Sequence, residues 1–263
     1  MSLRFEKQTI LITGASSGIG QQTAYEAAKA GARLVLCSRR IDKLEQTKKE
    51  CEQLGAEAVT IFSLDIGNLE SIESLIHFLE DQNIQIDVLI NNAGFGHDQP
   101  FLEMDMQKIF DLFKVNVLGL MFLTQKIALT MVDHKKGQII NIASLAGKVS
   151  TPNYAVYDAT KAAVISFSNA LRMELQPIGI QVTVVNFGPV DTPFFDHVGQ
   201  ARKEKTMRNP FTLSKKQAGK IVANTIGTKK YEVNRPILLA LGSKMYSFTP
   251  QLVDYILLKH YNR

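Results

Sequence analysis

Cysteine is scarce in this chain, with only Cys37 and Cys51 among 263 residues. Cys37 sits in an apolar run that reads as a strand, and Cys51 in a polar helical segment. A disulfide framework and a CxxC metal site are therefore not expected. Long apolar runs are missing too, and none reaches the length of a membrane-spanning helix. The first residues, Met1-Ser2-Leu3-Arg4-Phe5, hold no apolar signal region. Ser2 stands where myristoylation would need glycine. A reducing, cytoplasmic setting is the default expectation. Basic residues form only short runs, such as Arg39-Arg40, Lys135-Lys136 and Lys215-Lys216. These are too short for a nucleic-acid arm. The five histidines do not cluster with cysteines or carboxylates at ligand spacing, so no metal is expected. Repeats, low-complexity stretches and linkers are absent as well, which points to one domain over residues 1–263.

What is present is globular in character: 45% hydrophobic residues, 21% charged residues and a net charge of +5. A chain of this length can bury a sizeable core without staples. The basic excess is either a solvated surface or a preference for an anion, such as a phosphorylated cofactor, an acidic substrate or an anionic membrane. Short β-branched runs alternate with helical stretches. Strands are expected at Gln8–Thr13, Arg33–Cys37, Glu57–Ser63, Val88–Asn91, Gln138–Ile142, Gln181–Phe187 and Pro236–Ala240. Helices are expected at Gly18–Ala30, Ile41–Leu54, Leu69–Asp81, Met106–His134 (one or two), Tyr154–Gln176 and Gln217–Ile226. Strand-helix alternation is the pattern of an α/β doubly wound parallel sheet flanked by helices. Runs like Ile139-Ile140-Asn141-Ile142 suit strands buried on both faces.

Thr13-Gly14-Ala15-Ser16-Ser17-Gly18-Ile19-Gly20 lies between the first strand and the first helix. A sharp turn and a close backbone approach to a pyrophosphate both call for glycine there. The helix then aims free N–H groups and its positive dipole end at the anion. A glycine motif that follows a strand and opens a helix is a strong signal. Later in the chain, Tyr157 and Lys161 are four residues apart on an expected helix and share one face. A free tyrosine titrates near ~10. A nearby ammonium favours its phenolate, which brings proton transfer toward working pH. Ser144 follows the fifth strand at the carboxyl edge, where doubly wound sheets place ligands. Its hydroxyl can donate to a substrate oxygen as charge develops.

The glycine spacing is GxxxGxG rather than GxGxxG. With Asn91-Asn92-Ala93-Gly94 after the fourth strand and Tyr157-x-x-x-Lys161, it resembles the short-chain dehydrogenase/reductase family over roughly residues 6 to 240. The resemblance implies a single Rossmann-like domain with about seven parallel strands. It also implies a dehydrogenase or reductase passing hydride between a nicotinamide cofactor and a carbonyl or alcohol, with Tyr157 as general acid/base. Asn116 would complete a catalytic tetrad with Ser144, Tyr157 and Lys161, holding a water beside Lys161. Gly14, Ser16, Ser17, Gly18, Ile19 and Gly20 would cradle the cofactor, and Lys161 would grip its nicotinamide ribose. Asp65 and Ile66 would line the adenine, while Asn91, Ala93 and Gly94 would support the adenosine side and the central sheet. Gly188-Pro189-Val190-Asp191-Thr192 resembles the family's Pro-Gly segment, so that Pro189, Val190 and Thr192 would contact the carboxamide.

The cofactor is expected to be NADP(H). The second strand ends in Cys37-Ser38-Arg39-Arg40, without the carboxylate that would bind a free ribose hydroxyl. Ser38 can hydrogen-bond a 2′-phosphate, and Arg39, with Arg40 beside it, can pair with it through a charged fork. Family position implies a substrate lid over about 190–215, where Phe194, Phe195 and Met207 would wall an apolar pocket. Arg202, Lys203 and Arg208 are either solvated lid surface or an attraction for an anionic head. Phe95, Gly96 and His97 would line the same cleft. Asp158 departs from the small residue usual after the tyrosine. It is either a partner for the helix dipole or a charge that raises the tyrosine's pKa. In the tail, about 243–263, Met245, Phe248, Leu252, Tyr255, Ile256 and Lys259 fall at helical spacing. That tail packs on its own domain, forms a subunit interface or touches a membrane. Relatives imply a homodimer or homotetramer.

A cofactor-binding sensor or scaffold without turnover is the alternative, but it would not need Ser144, Tyr157 and Lys161. A sugar-nucleotide epimerase or dehydratase shares the Tyr-Lys pair, yet differs in glycine spacing and needs a larger second region.

Overall fold

The computed structural model describes residues 4–194, 209–251 and 254–255. Phe195, Arg202, Lys203, Met207 and Arg208, named above as lid residues, lie outside the described residues, as do Leu252, Ile256 and Lys259 of the tail.

Seven parallel strands form one sheet: β1 (Thr9–Thr13), β2 (Arg33–Ser38), β3 (Ala58–Ser63), β4 (Val88–Asn91), β5 (Gly137–Ser144), β6 (Ile180–Phe187) and β9 (Glu232–Arg235). Their order across the sheet is β3-β2-β1-β4-β5-β6-β9. The chain starts in the middle, winds to β3, then returns and winds the other way from β4. Adjacent β1 and β4 thus leave a crevice at their carboxyl ends, where such sheets bind ligands. A two-stranded annex, β7 (Val190–Asp191) with β8 (Leu213–Ser214), stands beside that edge.

Eight α-helices clothe the described sheet: α1 (Gly18–Lys29), α2 (Ile41–Gln53), α3 (Leu69–Asp81), α4 (Met106–Phe113), α5 (Leu120–Asp133), α6 (Ala155–Leu175), α7 (Lys215–Ala223) and α8 (Ile237–Phe248). Two apolar layers fill the faces of the sheet. One joins Ile10, Ile12, Leu34 and Leu36 to α1, α2 and α7, and the other joins Leu11, Val35, Leu89 and Ile139 to α3 and α5. Alternate residues of β1 and β2 therefore point to opposite layers, as strand geometry requires. Cys37 and Cys51 are both buried, and burial pushes the Cys51 thiol up to about 12.

Most expected elements fall within a few residues of their positions, but three differ. Pro236–Ala240 is not a strand. The seventh strand is the preceding Glu232–Arg235, and Ile237 opens α8. β9 pairs only with β6 at the sheet edge, so its polar residues need no buried face. Helix α7 starts two residues early because Ser214 and Gln217 close a capping box. Met106–Asp133 runs as one 28-residue helical stretch through a π-turn at Lys114–Gly119. By length and composition it could cross a membrane, contrary to the expectation that no such segment exists. Half of it is buried inside the domain, which is the pattern of a core helix.

Candidate active site

The glycine turn is locked to the strand beside it. Thr13 Oγ1 accepts the N–H groups of Asn92 and Ala93, both at 3.0 Å. Asn92 Nδ2 donates to the Thr13 carbonyl at 2.9 Å. Gly14 takes φ +67°, in the left-handed region that favours glycine. A Cβ on Gly20 would stand 2.5 Å from both the Gly14 carbonyl oxygen and Asn92 Nδ2, so α1 sits on the turn only because Gly20 has no side chain. Thr13 and Asn92 thus carry the turn's shape, a role not read from the sequence although both flank its motifs.

The turn fits an anion. Ser17, the N-cap of α1, makes no side-chain capping bond, and the first turn of α1 holds no acid. The helix end is left open to a ligand. Arg40 Nη2 donates to Ser16 Oγ at 3.0 Å and to Ser17 Oγ at 2.8 Å. Ser38 Oγ accepts the Arg40 N–H at 3.2 Å. Arg40, rather than Arg39 alone, brings positive charge onto the turn; both side chains are exposed. Asp65 Oδ1 accepts the Gly67 N–H at 3.0 Å and remains exposed, while Ile66 is buried beneath it. Ile19 is half-buried against the core. A Cβ on Gly18 would lie 3.4 Å from Thr192, so the segment after β6 closes over the start of α1. Val190 is buried, and the Pro189 carbonyl accepts the Leu213 N–H at 3.0 Å, joining this segment to β8.

Ser144, at the end of β5, donates to the Phe187 carbonyl at 3.2 Å and accepts the Ala146 N–H at 3.1 Å. Ser144 also acts on the Tyr157 phenol, lowering its pKa. Tyr157 and Lys161 project from one face of α6. Lys161 Nζ lies 5.7 Å from the Tyr157 ring centroid and donates to the Ile142 carbonyl at 3.1 Å. Burial lowers the Lys161 ammonium to about 8. Burial raises the Tyr157 phenol above its usual 10, with Ser144 acting against it and Asp158 adding to it. The phenol is therefore neutral at physiological pH in the protein alone. The expected pull of the Lys161 ammonium toward phenolate does not overcome burial.

The structure sharpens several sequence expectations. Asp158 stands in the first turn of α6, where the helix dipole favours an acid. It is buried, its Oδ2 accepts the Thr151 N–H at 2.8 Å, and its charge raises the Tyr157 pKa. Asn116 is fully buried in the π-turn, and its amide is taken up elsewhere. Its Oδ1 accepts the Phe95 N–H at 3.0 Å; its Nδ2 donates to the Phe95 carbonyl at 2.8 Å and to Thr160 Oγ1 at 3.2 Å. It positions the loop beside Gly94, where a Cβ would meet Asn116 Oδ1 at 3.0 Å and Lys161 Nζ at 3.5 Å. Asn91 faces inward too, with Nδ2 donating to Thr124 Oγ1 and Asn141 Oδ1, both at 2.8 Å, so it ties the central sheet. Phe95 packs its ring with Met104, Leu112 and Val156, a small satellite core, rather than into the cleft. Phe194 does reach the site, with its ring centroid 5.5 Å from that of Tyr157. Tyr154 stands on the same ring at 6.0 Å. Gly96 lies between, since a Cβ there would meet Phe194 at 2.7 Å and Tyr157 at 3.1 Å. Ala93 is half-buried and Gly94 exposed, between the glycine turn and Lys161.

Thr160 was not foreseen. It is completely buried, donates to the Tyr157 carbonyl at 2.7 Å and accepts from Asn116, thereby linking the π-turn to the turn of α6 that carries Tyr157. Its position between Tyr157 and Lys161 was the available signal.

Comparison with known proteins bears on the same site. The short chain dehydrogenase family model matches residues 8–203. The chain is 39% identical over 194 residues to the NADP-dependent 3-hydroxy acid dehydrogenase of Schizosaccharomyces pombe, covering 73% of this chain and 74% of that one. It is 34% identical over 262 residues to 11-beta-hydroxysteroid dehydrogenase-like 3 of Arabidopsis thaliana, covering 97% and 82%. A short-chain dehydrogenase from Sphingobium yanoikuyae, solved with NADPH, superposes with a TM-score of 0.80 at 26% identity, covering 94% of this chain and 95% of that one. With the glycine turn, the Ser144–Tyr157–Lys161 cluster and the sheet order all in place, the chain belongs to the short-chain dehydrogenase family and is an oxidoreductase.

Proposed function

We propose that this protein passes hydride between NADP(H) and the carbonyl or alcohol carbon of a small molecule, with Tyr157 giving or taking the proton on the substrate oxygen. The observation that carries the reading is the convergence of Ser144, at the carboxyl end of β5, with Tyr157 and a buried Lys161 on one face of α6, the ammonium 5.7 Å from the Tyr157 ring centroid. NADP(H) is the cofactor. Ser38, Arg39 and Arg40 would hold its 2′-phosphate, and the open end of α1 its pyrophosphate. The bound nicotinamide supplies or accepts the hydride.

The residues of the chain do the rest. Ser144 holds the substrate oxygen by donating to it, which stabilises the charge that develops there. Tyr157 is a neutral phenol at working pH, the form needed to protonate that oxygen in reduction. Lys161 at about 8 is still mostly protonated near neutrality, so its charge offsets part of the cost of forming the phenolate. Asn116 and Thr160 fix the backbone on which this geometry depends. Phe194 and Tyr154 form an aromatic wall against Tyr157 and favour a substrate with an apolar body beside its reacting oxygen. The hydroxy-acid and hydroxysteroid relatives make hydroxy acids and alicyclic alcohols, with their ketones, the first compounds to screen.

Tyr157→Phe tests the reading. Turnover should fall by on the order of 10²–10⁴, with NADPH affinity nearly unchanged. Retained turnover, or an equal loss of NADPH binding, would remove the proton-transfer role.

A further inference from the structure

Helix α8 turns an apolar stripe to solvent. Ile237, Leu238, Leu241, Met245 and Phe248 lie on one side of the helix and are 53–86% exposed. The helix already has an inner face. Ala240 and Ser243 are buried, and Leu239 stands against Gly188. The stripe is thus a second apolar face, not a core face lacking its layer. A contiguous exposed apolar patch of this kind marks an interaction surface.

Charge selects among occupants. Lys244 borders the stripe, and α8 contains no carboxylate. Over residues 237–263 the sequence has Lys244, Lys259 and Arg263 against Asp254 alone. The other exposed apolar group, Phe101, Leu102, Met106 and Phe110, is interrupted by Glu103 and Asp105 and lacks this basic bias. Area argues the same way. Five side chains at on the order of 100 Å² each fall short of the roughly 800 Å² per partner that a stable protein interface buries. A lipid surface needs no complementary partner, and an amphipathic helix with a lysine at the edge of its apolar stripe is the form that lies in its interface.

We propose that α8 docks on an anionic lipid surface, with Leu241, Met245 and Phe248 entering the headgroup boundary and Lys244 on the phosphates. The location gives the contact a purpose. Leu239 lies beside Gly188, at the end of β6, and α8 packs on Leu145–Gly147, just after Ser144. The docked helix therefore holds the mouth of the cleft against the lipid, where a membrane-dissolved carbonyl or alcohol can enter. This last consequence rests on the proposed function; the docking itself does not.

The test is sedimentation of the full chain with phosphatidylcholine vesicles, with and without phosphatidylglycerol, at low and raised salt. Binding should require the anionic lipid and weaken with salt. Leu241→Glu and Met245→Glu should each lower the partition coefficient about ten-fold or more, while NADPH titration of the same samples shows that they remain folded. Lys244→Gln should weaken binding to anionic vesicles without altering NADPH affinity. Failure of the wild type to bind anionic vesicles overturns the proposal, as does binding that both glutamate variants leave unchanged. A dimer seen by light scattering, dissolved by Leu241→Glu and formed without vesicle binding, would assign the stripe to a second copy instead. Vesicle binding by a protein with no NADPH affinity would count against the proposed function and leave the docking standing.

Discussion

Replacing Arg40 by alanine should separate the two nicotinamide cofactors. In the structure the Arg40 guanidinium lies on the glycine turn, 3.0 Å from Ser16 Oγ and 2.8 Å from Ser17 Oγ. No acid shares the first turn of α1, and none stands at the end of β2. A hydrogen bond to a charged group contributes about 1.5–3 kcal/mol, and about 1.4 kcal/mol is a factor of ten. If Arg40 reads the 2′-phosphate, Arg40→Ala should weaken NADPH roughly ten- to hundred-fold. NADH should lose much less, because only the exposed bonds to two serine hydroxyls disappear. Arg40→Lys should fall between, since it keeps the charge but not the fork. The assay is a fluorescence titration of each variant with both cofactors at low and raised salt, and salt should narrow the difference for so exposed a cation. Equal losses for NADPH and NADH would refute the reasoning and leave Arg40 as a brace for the turn.

Asp158→Asn should move the tyrosine limb of the pH–rate profile to lower pH, because the Asp158 charge raises the Tyr157 pKa. The amide oxygen can keep the Thr151 N–H, so an unmoved limb would mean that the charge is not felt at the phenol. Lys161 gives a pH dependence of stability. Its pKa is lowered from 10.5 to about 8, so the unfolded chain binds the extra proton between those values and stability rises with pH across that window. The penalty below it is on the order of 3 kcal/mol at most. Tyr157, with its raised pKa, works against the rise above ~10. Urea denaturation from pH 7 to 10 should show the rise in the wild type and a flatter curve in Lys161→Met; parallel curves would reject it. Gly20→Ala should destabilise the fold by roughly 1–3 kcal/mol and weaken both cofactors, since its Cβ would meet the Gly14 carbonyl at 2.5 Å. A folded variant with normal NADPH affinity would show that the turn can yield.

The alternation of strands and helices and the glycine turn after β1 were legible in the order of residues alone. It also placed Tyr157 and Lys161 on one face of α6. Each depends on local spacing: apolar period, glycine position, a four-residue step along a helix. Edge strand β9 escaped because Glu-Val-Asn-Arg needs no buried run, and the apolar residues after Pro236 carry no period short enough to tell strand from helix. Only the tertiary structure decided what each polar side chain meets. Asn116 and Phe95 lie 21 residues apart in the chain, and Arg40 and Ser16 lie 24 apart. No local pattern records such pairs. Burial of Lys161 and Asp158 likewise arises from elements packed around α6. It is this burial that lowers the ammonium and raises the phenol of an otherwise ordinary Tyr-x-x-x-Lys.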